Sequence, residues 1–139
     1  MAEIAVVIPA YNHAHYLRQS IQSVLDQTFT DWELAVVDDG STDDTPALMA
    51  SLRDPRLHWV RQPNAGLSAA RNTGLRETCA PLVTFLDADD WFLPNKLELL
   101  YGYLRDHGDV GLVAGGMRLA DPDGRMVADV VAASPGLAL

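Results

Sequence analysis

The chain has 139 residues, 48% of them hydrophobic and 21% charged, with a formal net charge of −9. That is one domain's worth of sequence, long enough to hide roughly 70% of the surface its unfolded form exposes. The acid excess excludes a protein that wraps nucleic acid by neutralising phosphates, and no apolar run approaches the ~18 residues of a membrane span.

Residues 4–9 are a continuous apolar run and read as a buried strand. They follow Glu3 rather than a basic segment, which does not fit a signal peptide. Residues 16–28 carry Leu17, Ile21, Val24 and Leu25 at helical spacing. Residues 32–37 are a second strand. Residues 45–53 are a short helix with Pro46 in its first turn and Ser41, Thr42 or Thr45 available to cap it. Residues 57–61 are a third strand, and 67–77 a helix rich in small residues. Residues 81–86 are a fourth strand, followed by a helix over 94–107 with Leu97, Leu100 and Leu104 on one side. A fifth strand is expected over 110–119. After the turn at Asp121-Pro122-Asp123-Gly124, a returning strand is expected over 126–131. Residues 132–139 have no periodicity and read as a disordered tail.

Strand and helix alternate from residue 4 to residue 107. This implies βαβ units and a mostly parallel Rossmann-like α/β sheet with helices on both faces. Ligands of such sheets sit beyond the carboxyl ends of the strands. Tyr11 and Asn12 follow the first strand, Asp38 and Asp39 the second, Asn64 and Gly66 the third, and Asp87, Asp89 and Asp90 the fourth. Four polar clusters at one sheet edge point to a cleft.

Of the 19 acids, 15 are Asp, and seven of these lie in the clusters after strands two and four. Asp87 and Asp89, one residue apart past a buried strand, are hard oxygen ligands suited to Mg²⁺ or Mn²⁺, and such a cation could hold a diphosphate. The plainer alternative is that Asp89 or Asp90 caps the next helix. Asp39 is placed to accept from a nucleobase imide or a ribose hydroxyl. Asp38 reads equally as a structural acid, and Asp43 and Asp44 read as turn and cap residues. Arg71, early in a helix that opens into an acidic cleft, suits a phosphate or an ion pair with one of these Asp residues. The GxGxxG and GxxxxGK[ST] loops are absent, against dinucleotide oxidoreductases and P-loop NTPases. Cys79 has no partner for an internal disulfide and fits a reducing compartment. His13 and His15 read as surface residues, with contact to a ligand near the cleft as the alternative.

VVIPAYN (6–12), VVDDGSTDDT (36–45), NAGLSAARNTGL (64–75) and VTFLDADDWF (83–92) stand in this order at suitable intervals. Together they resemble the family 2 glycosyltransferases, inverting enzymes of the GT-A fold that take a sugar from a nucleoside diphosphate, most often UDP. The resemblance covers residues 4–119 and makes 1–131 the nucleotide-sugar-binding part. It implies that Pro9, Ala10 and Tyr11 line the base and ribose pocket and that Asp39 accepts from the uracil imide. It places Arg71 near the diphosphate and the Asp87-Ala88-Asp89 segment at the ribose, sugar and metal, with Asp89 the main ligand and Asp87 assisting. The acceptor would be a glycan, a lipid-linked or another hydroxyl compound, as in cell-surface polysaccharide biosynthesis. The setting would be cytoplasmic or peripheral at the inner face of the membrane.

The family's general base stands in the second half of a longer domain, and nothing after residue 119 matches its motif. The chain therefore reads as an N-terminal piece that binds the donor without transferring the sugar, and its unfinished sheet edge invites self-association. A non-catalytic nucleotide-sugar-binding module is the alternative. A dehalogenase-type phosphohydrolase fits poorly, because Trp91 stands where its DxD motif requires Thr or Val.

Overall fold

The computed structural model describes residues 1–130. The expected tail and Val131, the last residue of the expected returning strand, lie outside the described residues. The chain forms two compact units, residues 1–95 and a second that begins at Lys96.

The first unit carries β1 (Ile4–Ala10), α1 (Ala14–Leu25), β2 (Trp32–Asp38), α2 (Thr45–Ser51), β3 (Leu57–Arg61), α3 (Leu67–Arg76) and β4 (Leu82–Phe85). The four strands are all parallel, in the order β3-β2-β1-β4. The two central strands explain their own apolar sequences. All seven residues of β1 are buried, and so are all of β2 except Glu33. A strand covered on both faces needs no alternation of polar and apolar residues.

Chain direction sets which helix covers which face. The steps from β1 to β2 and from β2 to β3 run one way, so right-handed crossovers put α1 and α2 on the same side. The step from β3 back across to β4 runs the other way and puts α3 on the opposite face. On α1, Leu17, Ile21 and Val24 are buried at helical spacing. On α3, Gly74 lies so close to β1 that a Cβ there would overlap Val7 Cγ1 and sit 3.1 Å from Val7 Cγ2. The small-residue composition of α3 therefore reflects close helix–sheet approach. At the amino edge of the sheet, Glu33 Oε1 accepts from the N–H groups of Cys79 and Ala80 at 2.8 and 2.7 Å, which fixes the entry into β4.

The second unit holds α4 (Lys96–Asp106), β5 (Met117–Ala120) and β6 (Met126–Val130). The strands form a separate antiparallel pair. The turn is as expected: Asp121 Oδ1 accepts from the N–H groups of Asp123 and Arg125 at 3.0 and 2.8 Å, and Gly124 has φ +80°. The long fifth strand over 110–119 is corrected. Only Met117–Ala120 is strand, and it pairs with β6 rather than joining the parallel sheet. Gly111, Gly115 and Gly116 explain this, since glycine weakens a strand interior. No helix among the described residues is long and apolar enough to cross a membrane.

Candidate functional site

β1 stands between β2 and β4, and the chain leaves it towards β2 but returns to the sheet at β4. The order of winding therefore reverses beside β1, where open α/β sheets bind their ligands. A concavity of about 450 Å³ lies at the carboxyl ends of these strands. Pro9, Ala10 and Tyr11 form one wall, and Asp39, Asn64 and Gly66 another. Four of the residues expected at the nucleotide are thus brought together: Pro9, Ala10, Tyr11 and Asp39. His13, Leu67 and Ala70 also line it. His13 is exposed, as the surface reading has it, and stands beside the concavity after the turn at Asn12, whose φ is +55°. Leu67 and Ala70 carry no polar signal that could have singled them out. A smaller concavity of about 260 Å³ lies elsewhere on the first unit, against Gln22, Trp91 and Leu93.

Asp39 is 4% exposed. Its Oδ1 accepts from Gln62 Nε2 at 2.7 Å and from the Ala65 N–H at 2.9 Å, and its Oδ2 accepts from the Gly66 N–H at 2.8 Å. Asn64 Nδ2 donates to the Asp39 carbonyl at 3.0 Å. One acid thus holds the loop from β3 to α3 in place. Gly40 lets that loop approach: it has φ +80°, and a Cβ there would sit 2.8 Å from Asn64 N. An ionised carboxylate has about four acceptor positions, so three protein donors leave one for a ligand.

Burial opposes ionisation of Asp39, but the hydrogen bonds from Ala65, Gln62 and Gly66 outweigh it and hold the carboxyl below its ordinary value of 3.8. Asp43 is likewise lowered: burial opposes this and donors on Thr45 and Ala14 prevail. Both groups release their protons more readily folded than unfolded. The stability they supply is complete above the ordinary value and is lost as pH falls through the lowered ones.

Asp38 is fully buried and structural. Its Oδ1 accepts from the Ser41 N–H at 2.8 Å, and Arg61 Nε lies 3.3 Å from its Oδ2 as an ion pair without hydrogen-bond geometry. The expected capping of α2 by Ser41, Thr42 or Thr45 is corrected: Asp44 holds the cap position without a side-chain cap bond, and the preceding Asp43 forms a turn in which its Oδ1 accepts from the Thr45 N–H at 3.0 Å. Its Oδ2 accepts from the Ala14 N–H at 2.9 Å, so this carboxylate serves the first turns of α1 and α2 together. Thr42 N–H to Asn12 Oδ1 at 2.8 Å and Asn12 N–H to Ser41 Oγ at 3.0 Å complete the seam between the two loops.

After β4, Asp87 Oδ1 pairs with Arg71 Nη2 at 2.8 Å. The Arg71 guanidinium also lies over the Phe85 ring, 5.4 Å from its centre. Arg71 Nε is buried and has no acceptor among the described residues. Ala88 is buried while Asp87 and Asp89 are exposed, so the segment points two carboxylates outward around an anchored middle residue. Arg71, Asp87, Ala88 and Asp89 do not line the 450 Å³ concavity. No group of three or more His, Cys, Asp or Glu side chains among the described residues converges on a metal position. Among the described residues, at most two carboxylates stand together there. That fits Mg²⁺ or Mn²⁺, which are commonly held by one or two carboxylates with phosphate oxygens and water completing the shell.

A four-stranded parallel sheet with a concavity at its switch point and acids after two strands is an α/β arrangement of the GT-A type. The chain belongs to glycosyl transferase family 2, whose family model matches residues 5–127. It is 45% identical over 101 residues to glycosyltransferase GlyA of Streptococcus pneumoniae serotype 4, a match covering 71% of this chain and 14% of GlyA. It is 39% identical over 97 residues to the UDP-Glc:alpha-D-GlcNAc-diphosphoundecaprenol beta-1,3-glucosyltransferase WfgD of Escherichia coli, covering 69% of this chain and 38% of WfgD. The mannosyltransferase PcManGT of Pyrobaculum calidifontis, solved with GDP-Man and Mn²⁺, superposes with a TM-score of 0.70 at 25% identity, covering 87% of this chain and 36% of that one. The chain therefore spans well under half the length of these relatives.

Proposed function

We propose that residues 1–95 are the donor side of an inverting glycosyltransferase site and bind a nucleoside diphosphate sugar, UDP-linked in preference to other bases, with Mg²⁺ or Mn²⁺. The observation that carries this reading is the Asp39 carboxylate, which lines the concavity with one acceptor position to spare. A uracil imide N–H fits that position. Adenine has no imide donor to offer, and the UDP-sugar donor of WfgD supports the choice. Tyr11, nearly half exposed beside the concavity, lies against the base, and Pro9 and Ala10 form the apolar floor.

Arg71 serves the diphosphate. Its buried Nε–H lacks an acceptor, and its Nη2 is held by Asp87. Asp89, assisted by Asp87, holds the cation; the Mn²⁺ in PcManGT supports a divalent ion. When bound, the cation neutralises charge on the departing diphosphate. The transfer itself is a single displacement on the anomeric carbon by a glycan, lipid-linked or other hydroxyl acceptor. The general base is assigned to no residue of this chain.

The test of the metal assignment is Asp89→Ala. Calorimetric titration with UDP in the presence and absence of Mn²⁺ is expected to show metal-enhanced binding in the wild-type chain. The variant should bind UDP equally weakly in both conditions. Metal enhancement that survives Asp89→Ala contradicts the assignment and leaves the acid as a loop residue.

A further inference from the structure

We propose that Gln62, Thr73 and Arg76 are positioning residues that break the equivalence of the two Asp39 oxygens and thereby set the preference among nucleobases; this rests on the reading of Asp39 given above. Three hydrogen bonds run in one direction. Arg76 Nη2 donates to Thr73 Oγ1 at 2.8 Å, Thr73 Oγ1 donates to Gln62 Oε1 at 2.6 Å, and Gln62 Nε2 donates to Asp39 Oδ1 at 2.7 Å. A guanidinium only donates and an ionised carboxylate only accepts, so the two ends fix the sense of the relay. Turning the Gln62 amide over would set its oxygen against Asp39 Oδ1, acceptor against acceptor.

The backbone alone gives Asp39 one donor on each oxygen, Ala65 N–H on Oδ1 and Gly66 N–H on Oδ2. On that basis either oxygen could take a ligand. Gln62 adds the second donor to Oδ1 and fills it, so the spare position is confined to Oδ2. Thr73 and Arg76 are one turn apart on α3, and Gln62 directly follows β3. None of the three lines the concavity. They act on the ligand through Asp39, and the relay ties the orientation of its carboxylate to the body of the helix.

The experiment compares UDP with 3-methyl-UDP, which lacks the imide hydrogen, on the whole chain and on Gln62→Leu, Thr73→Val and Thr73→Ser. The wild-type chain is expected to prefer UDP by ~10–100-fold, the worth of a hydrogen bond to a charged group. Gln62→Leu and Thr73→Val release the carboxylate from α3, so its Oδ2 is no longer held in line for the imide. They should lose most of that ratio while their affinity for 3-methyl-UDP stays unchanged, and Thr73→Ser should restore it. If the wild-type chain binds both nucleotides equally, the base reading of Asp39 falls and the relay with it. If the wild-type chain discriminates and the variants discriminate as strongly, the relay alone is overturned. Equal loss of both nucleotides in Thr73→Val, without recovery in Thr73→Ser, would mark a purely structural role and also overturn it.

Discussion

Asp39→Asn is expected to weaken UDP binding by ~10–100-fold, since a hydrogen bond to a charged group is replaced by a weaker or mismatched one. The substitution is nearly isosteric, so the loss reports chemistry rather than volume. Asn carries two donors on one of its terminal atoms, whereas the native carboxylate carries none. Three protein donors surround this carboxylate. Whichever way the amide turns, its nitrogen meets a backbone N–H or Gln62 Nε2. The imide N–H then competes for the single remaining oxygen. The wild-type chain should prefer UDP over ADP and GDP, and in Asp39→Asn the three should converge on the affinity that the diphosphate alone provides. Calorimetry on all three nucleotides checks this. Parallel weakening that keeps the preference intact would show that Asp39 only braces the loop.

Gly74→Ala is expected to destabilise the protein even though alanine is the better helix former. Helix propensity favours the change by ~1 kcal/mol. Against it, the new methyl overlaps Val7 in a strand where neither neighbour can retreat, because Val7 is fully buried between β2 and β4. Overpacking of that kind typically costs ~1–3 kcal/mol. The melting temperature should fall by ~2–4 °C for a net loss of about 1 kcal/mol in a chain of this size. Val7→Ala is destabilising by itself, but combined with Gly74→Ala it removes the clashing methyls. The double variant should therefore be more stable than the two single losses added together. Strict additivity in the thermal melts would mean that α3 shifts freely along the sheet.

The parallel sheet was legible because its two central strands are buried on both faces and its helices are amphipathic. Runs such as IAVVIPA and WELAVVD leave no other reading at that length. The fifth strand was misread because apolar character alone cannot separate a strand from a glycine-interrupted loop over 110–116. At the site, the strand-end rule placed Pro9, Ala10, Tyr11 and Asp39 together, since each falls within one or two residues of a strand terminus. The rule says nothing of side-chain direction. The choice of Asp39 over Asp38 as the residue at the concavity agrees with the opposite directions that successive residues of a strand take. An ion pair between Arg71 and one of the cleft acids was legible, but not that Asp87 is the partner, nor that Gln62, Thr73 and Arg76 converge on Asp39 from two elements. Those contacts depend on the packing of α3 against β1, which Gly74 permits and no local pattern announces.

The most direct measurement is an assigned amide NMR spectrum of the 139-residue chain titrated with UDP and Mg²⁺. With the nucleotide in the concavity at the carboxyl ends of β1 and β2, the largest shifts should fall on the N–H groups of Tyr11, Asp39, Ala65 and Gly66 and on the Gln62 side-chain amide, with Arg71 and Asp89 responding to the diphosphate and its cation. Saturation without movement of those signals, or shifts confined to Gln22, Trp91 and Leu93 at the other concavity, would contradict it.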